Sequence, residues 1–282
     1  MPLAKVGEML REAKKEGRCV AAFNCHNYES IKSVIDAGEA LNAPVIVMLY
    51  PTVIKHIPLT TFALITKDLA EKSKQPVGLH LDHSDDPDFI LEAVKAGFRS
   101  VIVDASRYDY ATNVKLTRQV VKLARPLGVD IEAEIGFVGA AGSASDYTDS
   151  AKYTDPSEAK KFVEDTEVDT LAVAIGNAHG LYVVEPKLDI NVLKEINRLV
   201  HVPLVLHGGS GIPEDQLKEA VQNGIAKANY GTDFGRQIFA AQRDYMSTDN
   251  ENKSAFGLLV AGEKGGREYV KGRILALNIA VP

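Results

Sequence analysis

The chain has 282 residues, of which 45% are hydrophobic and 25% are charged, and this composition suits one large α/β domain with a full apolar core. Its net charge of -6 argues against nucleic-acid binding by bulk electrostatics, although a local basic pocket for an anion is compatible with it. No apolar run approaches the roughly 18 residues that a membrane-spanning helix needs, so no membrane partner is predicted.

The N-terminal segment predicts a helix ahead of the first strand. Leu3, Val6, Met9, Leu10 and Ala13 recur on one helical face. The segment is charged and amphipathic and has no signal-peptide core, which predicts a cytoplasmic protein. The two cysteines of the chain lie in the following strand, too far apart to bridge each other, and this fits a reducing compartment.

Eight strand-like runs then alternate with helical patterns. In chain order they read RCVAAFN, PVIVML, PVGLHLD, RSVIVDA, VDIEAEIG, TLAVAIG, VPLVLHG and IAKANYG. Apolar runs of this kind are typical of parallel strands that are buried on both faces. Eight strand–helix units favour a closed (β/α)8 TIM barrel over an open doubly wound sheet. We expect the N-terminal helix to plug the barrel, a helical extension to follow at the C-terminus, and residues 1–282 to form a single domain.

One connection is unusually long. From Phe137 to Asp155 the chain is rich in Gly, Ala, Ser, Asp and Tyr and has no periodicity. Loops of this length in a compact domain are usually functional lids or disordered segments. Because this loop follows the fifth strand, it is predicted to be a mobile lid at the rim where barrels build their active sites.

Polar residues close three of the strands. Asp82 and His83 follow the third run, His179 follows the sixth and His207 follows the seventh. Since the carboxyl ends of barrel strands meet at one rim, these side chains should converge. Three neutral imidazoles with an open fourth position make a catalytic zinc site, and Asp82 beside them could move protons. The sequence therefore predicts a metal-dependent enzyme.

Other titratable residues have less definite roles. Glu132 and Glu134 alternate along the fifth strand, so both should face the barrel interior. Glu134 lies nearer the rim and is either a ligand at the metal or at an alternative metal position, or a buried carboxylate paired within the barrel. His80 shares the facing of Asp82 and is interpreted as structural. Cys25 is interpreted as a packed thiol.

Two glycine-rich turns follow the last two strands. His207 to Gly211 reads HGGSG, and Asn229 to Asp233 reads NYGTD. Barrels often bind phosphate with the loops after strands seven and eight. Glycines let backbone N–H groups approach an anion, and hydroxyl side chains in both turns add donors. These turns predict a phosphate site beside the metal ligand.

The motifs LHLDH, GNAHG and VPLVLHGGSGIP, with N-x-x-T-D after the eighth strand, resemble those of class II, zinc-dependent ketose-bisphosphate aldolases. That family includes fructose-bisphosphate and tagatose-bisphosphate aldolases. The resemblance implies a zinc ion held by His83, His179 and His207, with Asp82 as the catalytic acid/base.

The resemblance also implies which residues hold the dihydroxyacetone-phosphate half of the substrate. These are Asn24, Gly180, Gly208, Gly209, Ser210, Asn229, Tyr230, Gly231 and Thr232. It further implies a monovalent cation, Na⁺ or K⁺, near the glycine turns, and assembly as a homodimer or homotetramer.

Three positions depart from the family pattern. The loop after strand five usually carries a glutamate that moves the proton at the nucleophilic carbon, but Gly142 stands near that position, and Asp146 is the carboxylate predicted to replace it. Strand two ends at Tyr50 where a small Ser or Thr is usual. The segment after strand four places Arg107 at the rim, either facing an anionic substrate terminus or as a surface arginine. These changes predict a specificity that differs from fructose-bisphosphate cleavage.

The predicted reaction is reversible cleavage of a ketose (bis)phosphate to dihydroxyacetone phosphate and an aldehyde. A metal-dependent phosphosugar epimerase or isomerase is one alternative, but the missing loop glutamate argues against it because epimerisation needs two proton-transfer groups flanking one carbon. A non-catalytic phosphosugar-binding protein is another. The complete ligand set and Asp82 argue against that alternative, since binding alone needs neither.

Overall fold

The computed structural model describes residues 3–248 and 253–278. Within them, eight parallel strands form a closed barrel in chain order, and the last strand pairs with the first. The strands are β1 (Val20–Asn24), β2 (Val45–Leu49), β3 (Val77–Leu81), β4 (Ser100–Val103), β5 (Asp130–Ile135), β6 (Thr170–Val173), β7 (Leu204–Leu206) and β8 (Ile225–Tyr230). The prediction of a (β/α)8 TIM barrel is therefore confirmed.

Helices cover the outside of this barrel. They are α1 (Val6–Lys15), α2 (Tyr28–Leu41), α3 (Leu59–Lys72), α4 (Pro87–Ala96), α5 (Tyr110–Ala124), α6 (Ser145–Thr148), α7 (Pro156–Thr166), α8 (Ile190–Leu199), α9 (Glu214–Gln222), α10 (Thr232–Ser247) and α11 (Ala255–Leu277). Short 3₁₀ segments span Pro51–Lys55, Arg125–Leu127 and Ser150–Lys152. Helix α11 is the predicted C-terminal extension, and it packs along α10 and α2.

The strands read as apolar runs in the sequence because both of their faces are buried. Along β1, Ala21 and Phe23 pack in the large cluster beneath the outer helices, whereas Val20 and Ala22 pack in a second cluster inside the barrel. Both faces of the strand therefore meet apolar neighbours. Where such a run turns polar, as at Asn24, the side chain reaches the rim of the barrel.

Helix α1 closes the end of the barrel opposite that rim. Its residues Val6 and Leu10 are buried in the inner cluster against Ile46 and other interior residues of β1, β2 and β8. A Cβ atom at Gly78 would lie 2.7 Å from Cγ2 of Val6, so a residue without a side chain is needed where the helix crosses β3. The predicted N-terminal plug is confirmed.

The long connection after β5 contains regular structure that its sequence did not indicate. It includes α6 and a 3₁₀ turn, and Ala140 forms a parallel bridge with His179 in the connection after β6. The buried Tyr147 hydroxyl donates to the carbonyl of Val184 at 2.9 Å and accepts from its N–H at 3.0 Å. The two rim connections are therefore joined to each other.

No helix among the described residues combines the length and apolar character that crossing a membrane requires.

Candidate active site

The carboxyl ends of the strands surround a cavity of about 470 Å³. Its walls are formed by Asn24, Tyr50, Asp82, His83, Ser84, Asp85, Asp104, Ser106, Arg107, Glu134, Phe137, Val138, His179, Gly180, Gly208, Ser210, Asn229, Gly231 and Thr232. These residues follow β1 to β8 or lie at their ends, so the barrel closure itself assembles the cavity.

The three predicted metal ligands lie close together, with His83 and His179 lining the cavity and His207 buried directly beneath it. His83, His179 and His207 each offer one ring nitrogen, and these atoms lie within 4.8 Å of one another. His83 reaches the cluster through a left-handed backbone with φ of 52°. That conformation is uncommon outside glycine and tends to occur at functional sites. Three imidazoles so close together form a donor set that suits zinc.

Asp104 orients the first of these imidazoles. Its Oδ2 atom lies 2.8 Å from Nδ1 of His83, and Ser106 donates to its Oδ1 at 2.8 Å. Burial would lower the pKa of His83, but Asp82 and Asp104 raise it overall. Sequence reasoning missed Asp104, although it closes the β4 run as Asp82 closes the β3 run. A carboxylate on the second nitrogen is the usual partner of a metal-binding histidine.

His207 is buried beneath the cavity between two carboxylates. Its Nδ1 lies 2.7 Å from Oε2 of Glu134, and its Nε2 lies 2.9 Å from Oε1 of Glu132. Burial would lower the pKa of His207, but these two contacts raise it to about 10. Glu134 also forms a second candidate metal group with His83 and Asp104. Glu134 is thus paired within the barrel and adjacent to the histidine cluster at the same time.

The third imidazole is kept neutral by its surroundings, because burial and the two neighbouring imidazoles outweigh the effect of Asp82 and Asp104 on its pKa. Burial, together with His83 and His207, lowers the pKa of His179 to about 3. Its backbone is held by the neighbouring loop, because its N–H donates to the carbonyl of Gly139 at 2.8 Å. A neutral imidazole is the form that binds a metal ion.

Asp82 lies beside the histidine cluster and is held by two amides. Asn24 donates to its Oδ2 at 2.8 Å and Asn229 donates to its Oδ1 at 3.2 Å. Burial would raise the pKa of Asp82, but His83 and His207 lower it overall. The buried Oδ1 atoms of both asparagines have no hydrogen-bond partner within the described chain. Unpaired buried acceptors are costly, so these atoms are suited to receive substrate hydroxyls.

The glycine turns after β7 and β8 form the opposite wall. Gly208 has a φ of 64°, and a Cβ atom there would lie 1.9 Å from the carbonyl oxygen of Ala178. Only glycine fits so close to another backbone. Helix α10 begins at Thr232 without a side-chain cap on Gly231. The N–H of Asp233 in this turn donates to the hydroxyl of Ser210 at 3.2 Å, and the positive end of the helix dipole makes the position favourable for an anion.

Two residues of the predicted phosphate site do not line the cavity. The ring of Tyr230 is buried in the core, where it stacks on Phe23 with ring centroids 5.4 Å apart. The N–H of Gly209 donates to the carbonyl of Asn229 at 2.9 Å and so ties the two turns together. Tyr230 therefore points into the core and Gly209 acts through its backbone, which the motif match could not reveal.

The structure does not bring Asp146 to the cavity. Its carboxylate accepts from Lys152 Nζ at 2.9 Å and from the N–H of Ala140 at 3.2 Å. The hydrogen bond from Lys152 is the main reason that the pKa of Asp146 is lowered. The side chain of Asp146 therefore holds two parts of its own loop together. Its position gives no support to the predicted role in proton transfer.

The side of the cavity away from the glycine turns carries two exposed aromatic rings and one ion pair. Tyr50 and Phe137 are the aromatic residues. Arg107 pairs with Asp85, and both contact the hydroxyl of Tyr108. Among the lining residues of the described chain, Arg107 is the one lysine or arginine, and its charge is matched by Asp85.

Comparison with known proteins extends over nearly the whole chain. The family model described as "Fructose-bisphosphate aldolase class-II" matches residues 4–280. The crystal structure of the YdjI aldolase from Escherichia coli K12 is similar, with 34% identity and a TM-score of 0.88, over 98% of this chain and 97% of that one. A fructose-bisphosphate aldolase from Campylobacter jejuni shares the fold at 22% identity, with a TM-score of 0.80 over 97% of this chain and 94% of that one.

Proposed function

Because the chain belongs to the class II fructose-bisphosphate aldolase family, we propose that it cleaves a ketose phosphate reversibly into dihydroxyacetone phosphate and an aldehyde, with zinc as cofactor. The observation that supports this most is the cluster of three imidazoles, within 4.8 Å of one another, directly beside a buried Asp82. Family membership gives the lyase class, and the cluster provides the place where its chemistry would occur.

We propose His83, His179 and His207 as the zinc ligands, with Glu134 as a ligand at an alternative position. Their nitrogens fit the ion because three imidazole donors are typical of catalytic zinc sites. Asp104 is hydrogen-bonded to Nδ1 of His83, as is usual for a metal-binding histidine. When bound, zinc would polarise the C2 carbonyl of the sugar and offset the negative charge that develops on its oxygen. A monovalent cation near the glycine turns remains part of the proposal.

Asp82 is the proposed acid/base. It would take the proton of the C4 hydroxyl as the C3–C4 bond breaks and the aldehyde forms. The enediolate that is left must then be protonated at C3 to leave as dihydroxyacetone phosphate, and the reverse direction retraces these steps. The amides of Asn24 and Asn229 fix its two oxygens, so its orientation is set before the substrate arrives. The free oxygens of the same asparagines would accept hydrogen bonds from the hydroxyls of the dihydroxyacetone-phosphate half.

The phosphate of that half would lie against the glycine turns. Gly180, Gly208, Ser210, Gly231 and Thr232 line this wall, where backbone N–H groups and hydroxyls can meet an anion. Gly209 and Tyr230 would contribute through the backbone that holds the two turns together.

The far end of the substrate would lie between Tyr50, Phe137 and the Asp85–Arg107 pair. Four carboxylates and one guanidinium line the cavity, and the guanidinium is already paired. A second phosphate at this end would find no positive charge that is not already balanced by a carboxylate. We therefore propose a ketose phosphate without a phosphate at its far end, whose hydroxyls meet Asp85 and Arg107. We further propose that the protein forms a homodimer or homotetramer in the cytoplasm and has no nucleic-acid or membrane partner.

The test is product analysis with the zinc-loaded protein and a panel of ketose 1-phosphates and ketose bisphosphates. We expect release of dihydroxyacetone phosphate, with a higher kcat/KM for substrates that lack the far phosphate. An epimerised sugar without triose phosphate would instead identify an epimerase, and saturable binding without turnover would identify a binding protein. A preference for fructose 1,6-bisphosphate would leave the aldol reaction standing and refute the far-end specificity.

A further inference from the structure

A chain of buried polar side chains runs from His207 down through the barrel interior. His207 is hydrogen-bonded to Oε1 of Glu132, and both oxygens of Glu132 accept from Nζ of Lys227, at 3.0 and 2.8 Å. Nζ of Lys227 lies 3.4 Å from Nε2 of His80, whose Nδ1 lies 2.7 Å from the hydroxyl of Ser100. None of these five residues is more than 2% exposed.

The ion pair in this chain is costly to bury. Glu132 belongs to β5 and Lys227 to β8, which are not neighbours in the sheet, so only closure of the barrel brings them together. Removing both charges from water opposes folding, and a well-packed apolar pair is often at least as stable. A stabilising role alone therefore gives little reason for this pair directly beneath the cavity.

The position of the pair suggests what it does. Glu132 does not line the cavity, so it cannot touch a substrate. It engages Nε2 of His207, so a metal ion would have to bind at Nδ1, whose partner in the structure is Glu134, itself a candidate ligand. Lys227 contacts both carboxylate oxygens and so fixes the plane in which Glu132 meets the imidazole. Carboxylates commonly orient metal-binding histidines in this way.

We propose that Glu132 positions His207 for metal binding and that Lys227 positions Glu132. This inference rests on the proposed metal centre. Both are positioning residues, because they act through His207 and contact neither the cavity nor a substrate. Through this buried pair, β8 restrains the orientation of His207, the proposed ligand that lies beneath the cavity floor.

The test measures the dissociation constant for zinc of the full-length, metal-stripped protein by competition with a chromophoric chelator. Glu132→Gln keeps an acceptor for Nε2 but removes the charge that orders it, and we expect zinc affinity to fall about 10- to 100-fold. The control is Ser100→Ala at the far end of the chain, which should leave zinc affinity unchanged.

A double variant separates positioning from charge balance. Glu132→Gln with Lys227→Met removes both charges, so it should recover thermal stability that Glu132→Gln loses while its zinc affinity stays low. Wild-type affinity in either variant would overturn the inference, and the double variant decides the matter where the single one fails to fold. A wild-type protein that binds no zinc would overturn the proposed function together with this inference, whereas unchanged affinity in the variants would overturn the inference alone.

Discussion

Asp82 combines two properties that a proton-transfer group at this site needs. It is buried beside the imidazole cluster, and the amides of Asn24 and Asn229 hold both of its oxygens. Its pKa lies below the ordinary value because the imidazoles His83 and His207 outweigh the effect of burial. At neutral pH the side chain is therefore a carboxylate, ready to accept a proton.

The substitution Asp82→Ala should separate catalysis from metal binding. We expect kcat to fall by roughly 10²- to 10⁴-fold, the usual contribution of a general acid/base. Zinc content should stay at the wild-type level, because Asp82 lies outside the three-imidazole group. Asp88→Ala, which removes an exposed carboxylate from α4, is the control. Near-normal turnover by Asp82→Ala would contradict its assignment as acid/base.

Asp146 should behave as an anchor of its loop. Its ion pair with Lys152 holds it away from the cavity, so Asp146→Ala and Lys152→Ala remove the same contact. We expect both variants to retain exchange of the C3 hydrogen of dihydroxyacetone phosphate with solvent, and to the same degree. Exchange that fails only in Asp146→Ala would show that this carboxylate transfers the proton after all.

The strand ends are the elements whose role could be predicted from sequence. Strands buried on both faces read as apolar runs, and the polar residue that closes each run must lie at the common rim. The same rule predicts that His83, His179 and His207 lie together, and their ring nitrogens lie within 4.8 Å of one another. It could also have found Asp104, which closes β4 in the same way.

Contacts between distant segments could not be predicted in this way. Within residues 137–155, the buried hydroxyl of Tyr147 is hydrogen-bonded to the backbone N–H and carbonyl of Val184, and nothing in the sequence pairs these two positions. Lys227 was visible as a lysine within an apolar run, but its partner Glu132 follows only from the register of a closed barrel. Periodicity reports the burial of a residue and not the neighbour that it meets.

The N-terminus of α10 should determine how tightly a phosphorylated ketose binds. Thr232→Val removes a hydroxyl from the cavity wall while keeping the shape of the side chain. A hydrogen bond to a charged group contributes about 1.5–3 kcal/mol, so KM should rise at least about tenfold with kcat little changed. Thr248→Val, at the other end of the same helix, is the matched control. An unchanged KM in Thr232→Val would mean that the phosphate binds elsewhere.

The buried plug and the candidate site lie at opposite ends of the barrel, because α1 closes one end and the cavity occupies the other. A change in the plug should therefore affect stability and leave activity unchanged. Leu10 is fully buried in the plug, and Leu10→Ala should lower the free energy of unfolding by about 2–5 kcal/mol. Below the unfolding temperature, kcat and KM should stay unchanged. Leu64→Ala, at an exposed position of α3, should change neither property. A large rise in KM for Leu10→Ala would contradict this separation.

At the scale of the whole molecule, we propose that the converged imidazoles form the metal centre of an aldolase. The most direct measurement is zinc titration of the metal-stripped protein, with release of dihydroxyacetone phosphate followed at each addition. We predict that removal of the metal abolishes cleavage while the circular dichroism of the barrel persists, and that activity returns in proportion to zinc up to about one ion per chain. His179→Ala should not recover. Undiminished cleavage by protein shown to be free of metal would contradict the claim.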